Sequence, residues 1–270
     1  MNVQSTVSVL TYHSIAVETT RTFAPFTVDP ALFDEHLAAL REQGLDVIPF
    51  CDVPNALATG RSAVTITIDD GLADAAEYAC PALARHGLPA TLFVPTGYVG
   101  ATAGWLRGDD ARRPICSWDS LVDMSRAGFE IGSHGHRHLA ADVNSPELVR
   151  RDAHASQVAL QDHLGDAVSS FSFPFGYHTG AARAAVRAAG FAQACAVGDL
   201  PARTGDDRWA LPRLQVWRDT TPEALLELVA RRPARAARGW ANAKQSVWRA
   251  GRRWAGWGPI EAGRIHGAAR

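Results

Sequence analysis

Through its first 230 residues the chain alternates short β-rich runs with helical ones, and this rhythm constrains the fold more than any other feature. Parallel strands cannot be joined by a tight turn; they need a crossover, which is right-handed and usually helical. The pattern therefore predicts an α/β protein on a parallel sheet, open or closed into a barrel. Residues 7–12 form the first predicted strand. Asp29 and Pro30 then supply a cap and a first-turn proline, Phe33, Leu37 and Leu40 recur at helical spacing, and Gly44 stops the run. Further strands are predicted at residues 45–49, 64–68, 90–94, 129–133, 169–173, 191–197 and 214–217. Helices are predicted from Leu72 to near His86, from a Ser117 cap to Arg126, from Ser145 and Pro146 toward Leu164, over 179–189, and from Thr221 and Pro222 onward. Residues 97–114, rich in glycine and holding Trp105, read as a long loop of the kind used as a functional lid.

With 270 residues, 47% hydrophobic and 20% charged, the chain can bury a sizeable core and is too apolar to be disordered. Its near-neutral total hides an asymmetry. Residues 231–270 carry ten basic side chains (nine Arg and Lys244) and one acid, Glu261, a net of +9, while the remainder carries −10. Two units follow: a globular domain over residues 1–230 and a basic, helical C-terminal extension over 231–270. On a helix, Trp240, Val247, Trp248 and Trp254 share one face, with Arg249, Arg252 and Arg253 off it. That pattern fits either an anionic membrane surface or docking on the acidic body. No nucleic-acid motif accompanies the charge, and no such partner is expected. Cys51, Cys80, Cys116 and Cys195 contain no Cys-x-x-Cys pair and are expected to be buried free thiols. The first residues lack the basic start and apolar stretch of a secretory signal, and no run approaches the ~18 apolar residues of a membrane span. The expected location is cytoplasmic, with the extension allowing peripheral contact at the inner face of the membrane.

Three polar clusters each follow a predicted strand: Tyr12-His13-Ser14, Asp69-Asp70-Gly71, and His134-Gly135-His136-Arg137-His138. In parallel sheets the carboxyl ends of the strands are where ligands and catalysis sit. His134 and His138 are four apart, so one turn can present two imidazoles to a common metal. Two adjacent carboxylates repel when both are charged and desolvated, and a metal at one removes that cost. One can then ligate while the other takes a proton from water. The segment Ser169 to Gly176 ends in Pro174 and Gly176, so its strand stops and exposes backbone N–H groups that could form an oxyanion hole.

These motifs resemble the NodB-homology polysaccharide deacetylases, carbohydrate esterase family four. Thr67-Ile68-Asp69-Asp70-Gly71 matches the family's Thr-Phe-Asp-Asp-Gly, and Gly132-Ser133-His134 through His138 matches its His-x-x-x-His. Ser172-Phe173-Pro174-Phe175 keeps the aromatic and proline of the third motif but not its arginine. The resemblance spans roughly residues 6–229 and implies a distorted (β/α) barrel. It implies a divalent metal, usually Zn²⁺ with Co²⁺, Mn²⁺ or Ni²⁺ as options, held by Asp70, His134 and His138. It also implies Asp69 as general base and the Phe175 N–H as an oxyanion donor. The family's late Leu-x-His, which carries the general acid, has no counterpart between Arg213 and Arg232. A leaving amine still needs a proton. His13 is the candidate donor and His178 the reserve. For the missing arginine, Arg213 could supply a bidentate guanidinium to the aspartate; the alternative is a surface residue. His136 has no assigned role.

The implied reaction is removal of an N-acetyl or related N-acyl group from a sugar in glycan or exopolysaccharide assembly. The substrate expected in a cytoplasmic setting is a lipid-linked or nucleotide-linked sugar. The alternatives are a silent carbohydrate-binding barrel, a hydrolase of a non-sugar C–N bond, or a non-haem iron oxygenase, which also uses two His and a carboxylate.

Overall fold

The computed structural model describes residues 5–231. Among them, seven parallel strands close into a barrel: β1 (Thr6–Tyr12), β2 (Ala63–Ile68), β3 (Thr91–Val94), β4 (Glu130–Ser133), β5 (Ser170–Ser172), β6 (Gln193–Val197) and β7 (Leu211–Gln215). They pair in chain order, and β7 returns to β1. Closure is uneven. β1 meets β2 from Val7↔Ala63 to Tyr12↔Ile68, but meets β7 only at Leu10↔Leu214 and Thr11↔Gln215. Nearer the start of β1, the two-residue strand Ala202–Arg203 runs antiparallel against Thr6 and Val7 and fills the gap.

Among the described residues, seven α-helices accompany the strands: α1 (Pro30–Glu42), α2 (Val53–Thr59), α3 (Cys80–His86), α4 (Trp118–Arg126), α5 (Pro146–Leu164), α6 (Gly180–Ala188) and α7 (Pro222–Ala230). The capping residues sit where the sequence puts them. Asp29, Ser117, Ser145, Thr179 and Thr221 each accept a first-turn backbone N–H, contributing about 1 kcal/mol apiece.

Strand alternation divides the core. Leu10, Tyr12, Ile66, Ile68, Leu92, Val94, Phe171 and Leu214 pack with Phe33, Leu37, Leu83 and Leu160 of the helices. Val7, Val9, Phe93, Cys195 and Leu211 form a second cluster, the opposite parity along the same strands, as a period of two requires.

Three expectations need correction. Residues 45–49 contribute only an isolated bridge, Val47↔Val64, before a 3₁₀ turn at Phe50–Asp52, because β3 takes that edge of β2 from Thr67 onward. The helix expected from Leu72 begins as a π-helical segment, Ala75–Ala79, and becomes α3 at Cys80; Pro81 has no N–H to continue an ordinary α register there. Of the cysteines, Cys116 and Cys195 are buried, Cys80 is half-buried and Cys51 is exposed, all free. Cys51 follows the chain out of the 45–49 segment into that turn, so its exposure follows from the first correction. The basic extension, including its tryptophan face, lies outside the described residues beyond Arg231. No helix among the described residues is long and apolar enough to cross a membrane.

At the carboxyl ends, Ser14–Ile15 pairs with Thr27–Val28, and Ser14 Oγ donates to Asp74 Oδ2 at 2.6 Å. Burial pushes the Asp74 carboxyl up to about 6 in spite of that bond, and its Oδ1 is buried without a partner. A carboxyl whose folded pKa exceeds its unfolded value loses stability as pH rises through the folded pKa. Asp74→Asn is therefore expected to unfold about 2 kcal/mol less readily than wild type at about pH 8, with the difference vanishing near pH 4. Urea denaturation at the two pH values checks this.

Candidate metal and catalytic centre

The same alternation selects which residues reach the mouth. On β1 the row Val7, Val9, Thr11 continues to His13; on β2, Thr65 and Thr67 continue to Asp69; beyond β4, Gly132 leads to His134; on β7, Leu211 leads to Arg213. Each of these polar residues therefore occupies an inward position, His13, Asp69 and His134 just beyond the ends of their strands and Arg213 within β7.

Arg213 and Asp69 are both almost fully buried and meet in a bidentate contact, with Nη1 to Oδ1 at 2.8 Å and Nη2 to Oδ2 at 2.6 Å. Nη1 also donates to Thr67 Oγ1 at 3.2 Å, and Ser172 Oγ donates to Asp69 Oδ2 at 3.3 Å. Burial opposes charge on Asp69, yet the Arg213 guanidinium and the nearby His134 outweigh it and hold the carboxyl below its ordinary range. Charge-assisted, forked bonds of this kind are the strong ones. The alternative of Arg213 as a surface residue is excluded.

One residue on, Asp70 adopts a left-handed backbone (φ 72°). Its Oδ1 lies 3.5 Å from His134 Nε2 and 3.2 Å from His138 Nε2. One ligand atom from each of the three buried residues falls within 4.8 Å of the others, so the set could hold one metal ion. The donor chemistry fits. His134 Nδ1 donates to the Ser172 carbonyl at 2.8 Å, which leaves Nε2 as a lone pair facing a carboxylate oxygen, an arrangement that a cation between them would stabilise. Burial works against charge on Asp70, but His134 and His138 bring it well below the ordinary carboxylate range.

The histidine loop is held from below. Asp152 on α5, buried, accepts the backbone N–H groups of His136 and Arg137 and the Arg137 Nε. A side chain at Gly135 (φ 75°) would place its Cβ 2.8 Å from Asp152 Oδ2. His138, also left-handed (φ 54°), stacks on Trp105 at 4.5 Å and 18° and meets the Phe175 ring edge-on at 4.7 Å. The predicted 97–114 loop is thus a folded flap whose Trp105 is buried against the site. His136 Nδ1 bonds Thr96 Oγ1 at 2.9 Å and ties the flap to the loop. The sequence marks Trp105 only as a member of a lid-like loop and gives no sign of Asp152, since an acid in mid-helix carries no spacing signal.

Phe175 is the third left-handed non-glycine residue here (φ 60°), in a 3₁₀ turn, Pro174–Gly176, that ends β5. Gly176 is required beside it, since a Cβ there would fall 2.1 Å from Val197 Cγ1. His13 feels the charges of Asp70, Asp69, Arg213 and His134; burial is the main influence and lowers its pKa. Its Nδ1 is buried without a hydrogen-bond partner. His178 instead packs on Phe173, a member of the helix-side core, and bonds Arg183 through Nδ1 at 3.3 Å.

A seven-stranded parallel barrel with paired aspartates and a His-x-x-x-His at its mouth defines a class, and residues 56–194 match the polysaccharide deacetylase family profile. The chain belongs to that family. It is 22% identical over 212 residues to the putative polysaccharide deacetylase YxkH of Bacillus subtilis, covering 77% of this chain and 70% of that one. Its fold is similar to the Streptococcus pyogenes deacetylase PplD, solved in complex with acetate (TM-score 0.75, 20% identity, 84% of this chain and 100% of that one). It is also similar to a de-N-acetylase from Aggregatibacter actinomycetemcomitans (TM-score 0.70, 20% identity, 82% and 99%).

Removing Arg213 leaves Asp69 buried and unpaired. Arg213→Gln is expected to cost about 3–5 kcal/mol at neutral pH, where the depressed Asp69 carboxyl is fully ionised. Adding Asp69→Asn should return at least half of that loss. Equal stabilities of the single and double variants in denaturant would refute the pairing.

Proposed function

We propose that this chain is a divalent-metal-dependent N-deacetylase acting on an N-acetylated sugar of a glycan. One observation carries the reading: of two adjacent carboxylates, Asp70 converges with His134 and His138, while Asp69 is held apart by Arg213. That division gives one carboxylate to ligation and leaves the other for proton transfer. Asp70, His134 and His138 would hold the ion, with zinc favoured by the two imidazoles and one carboxylate. When bound, such an ion polarises the amide carbonyl and makes water easier to deprotonate.

The remaining chemistry falls to this chain's own side chains. Water attacks the amide carbon and loses a proton to Asp69, whose carboxylate Arg213 orients and keeps ionised. The Phe175 N–H donates to the developing oxyanion. His13 gives a proton to the nitrogen as the C–N bond breaks, and acetate and a free amine leave. Trp105 and Phe175 flank His138 and keep bulk water from that side. The acetate bound to PplD and the de-N-acetylase activity in the name of the second structural relative agree with this choice of bond and product.

Elemental analysis should find about one zinc-class ion per chain in wild type, lost in His134→Ala and Asp70→Ala but retained in Asp69→Asn. Asp69→Asn should lower acetate release from an N-acetylglucosamine oligomer by about 10²–10⁴-fold, and His13→Ala within the same range. A wild type that takes up no metal on reconstitution, or an Asp69→Asn variant with full turnover, would overturn the reading.

A further inference from the structure

Four large apolar side chains stand exposed among the described residues: Val17, Val158, Val197 and Trp217. Val158 lies on α5. Each of the other three stands at or after the carboxyl end of a barrel strand: Val197 ends β6, Trp217 follows β7 by two residues, and Val17 lies in the connection after β1. β6, β7 and β1 are consecutive neighbours around the barrel. Single exposed apolar residues are ordinary, but a tryptophan 42% exposed beside a buried polar centre is a candidate contact for a ligand.

Trp217 is joined to that centre by aromatic rings. It meets Phe26 at 5.4 Å and 42°, and Phe26 meets His13 at 5.2 Å and 54°. The turn that carries it is fixed from inside. Trp217 N–H donates to Thr220 Oγ1 at 2.9 Å, Thr220 N–H donates back to the Trp217 carbonyl at 3.1 Å, and Arg218 N–H donates to the Pro25 carbonyl at 3.0 Å. Buried His36 bonds the Thr220 carbonyl through Nε2 at 2.7 Å and the Tyr12 hydroxyl through Nδ1 at 3.2 Å. A half-exposed indole held this firmly is preorganised to bind, and little ordering cost remains to be met when a ligand lands on it.

We propose that Trp217, with Phe26 behind it, is a stacking platform for a second sugar ring of the same glycan, next to the ring whose N-acetyl group lies at the centre. This inference rests on the deacetylase reading. A pyranose ring has apolar C–H faces and polar edges, so it lies on an indole while its hydroxyls stay in water or meet the exposed Arg218 and Asp219. A contact remote from the scissile bond holds the reacting sugar in register, so its loss should reach turnover on longer substrates. Trp217 is thus a positioning residue that sets chain-length preference.

The test compares acetate release from N-acetylglucosamine and from its β-linked tetramer, for wild type, Trp217→Ala and Trp217→Phe. Trp217→Ala should lower kcat/KM on the tetramer at least fivefold and leave the monosaccharide within twofold; Trp217→Phe should restore most of the difference. Calorimetric binding of the tetramer to the Asp69→Asn protein, with and without Trp217→Ala, reads the platform without turnover, and a fivefold weaker Kd is expected. Full turnover with Trp217-independent binding and chain-length profile would overturn the platform and leave the deacetylase. Trp217-dependent binding without turnover in wild type would overturn the deacetylase and leave a sugar platform. Tetramer binding absent from the Asp69→Asn protein would overturn the platform.

Discussion

The forked contact between Arg213 and Asp69 is the interaction on which the rest of the mouth depends. Arg213 comes from β7 and Asp69 follows β2, with β1 between them. The barrel ladder is thin there, since β7 and β1 share two residue pairs. Two buried charges in such a place gain little net stability over a well-packed apolar alternative, although Thr67 and Ser172 satisfy more of their hydrogen-bonding capacity. What the pair gains is definition. It fixes the Asp69 carboxylate in one orientation and one charge state, and it spans a seam that backbone pairing closes only in part.

The neighbouring turns store strain in the same region. Asp70, His138 and Phe175 hold left-handed backbones in the connections after β2, β4 and β5. For an aspartate this is tolerable; for a histidine and a phenylalanine it costs on the order of 1–2 kcal/mol each. Such conformations persist only when surrounding contacts over-determine them. Here Asp152 grips the backbone of the histidine loop, and the Gly176 contact with Val197 leaves the third turn no room to relax. The strain aims one side chain at the Asp70 oxygen and turns one peptide at the mouth away from the ladder.

Much of this was readable in the amino-acid order because it depends on periodicity and local spacing. A β-branched run ending in Asp69-Asp70, a strand ending in a His-x-x-x-His and a proline-terminated strand each announce a loop at the same end of a parallel sheet. Contacts made between segments far apart in sequence were not readable in that way. Arg213 lies 144 residues from Asp69, so the sequence allowed the pairing but equally allowed a surface side chain. Likewise, His13 and His178 both follow strands, and only three-dimensional parity separates them: His13 continues the inward row of β1, while His178 turns with Phe173 toward the helix layer. Residues 45–49 failed as a strand for a related reason, because the edge they would have joined is shared with β3.

The mouth is consequently lopsided, and the asymmetry bears on how a long substrate reaches it. After β3 the flap forms a wall: Trp105, Leu106, Ala103 and Ile115 pack with Phe23 and Leu72 into a buried satellite cluster that presses on His138. The arc from β6 through β7 to β1 instead carries the exposed Val197, Trp217 and Val17. Phe26 belongs to both sides, since it packs against the satellite cluster and touches Trp217 and His13. A ligand on the walled side would meet the buried Trp105, whereas the other arc offers the Trp217 and Phe26 rings, which lead to His13. On the proposed deacetylase reading, entry along that arc would place a neighbouring sugar on Trp217 as the N-acetyl group meets Asp69, so binding away from the reacting bond and orientation at it would become one event.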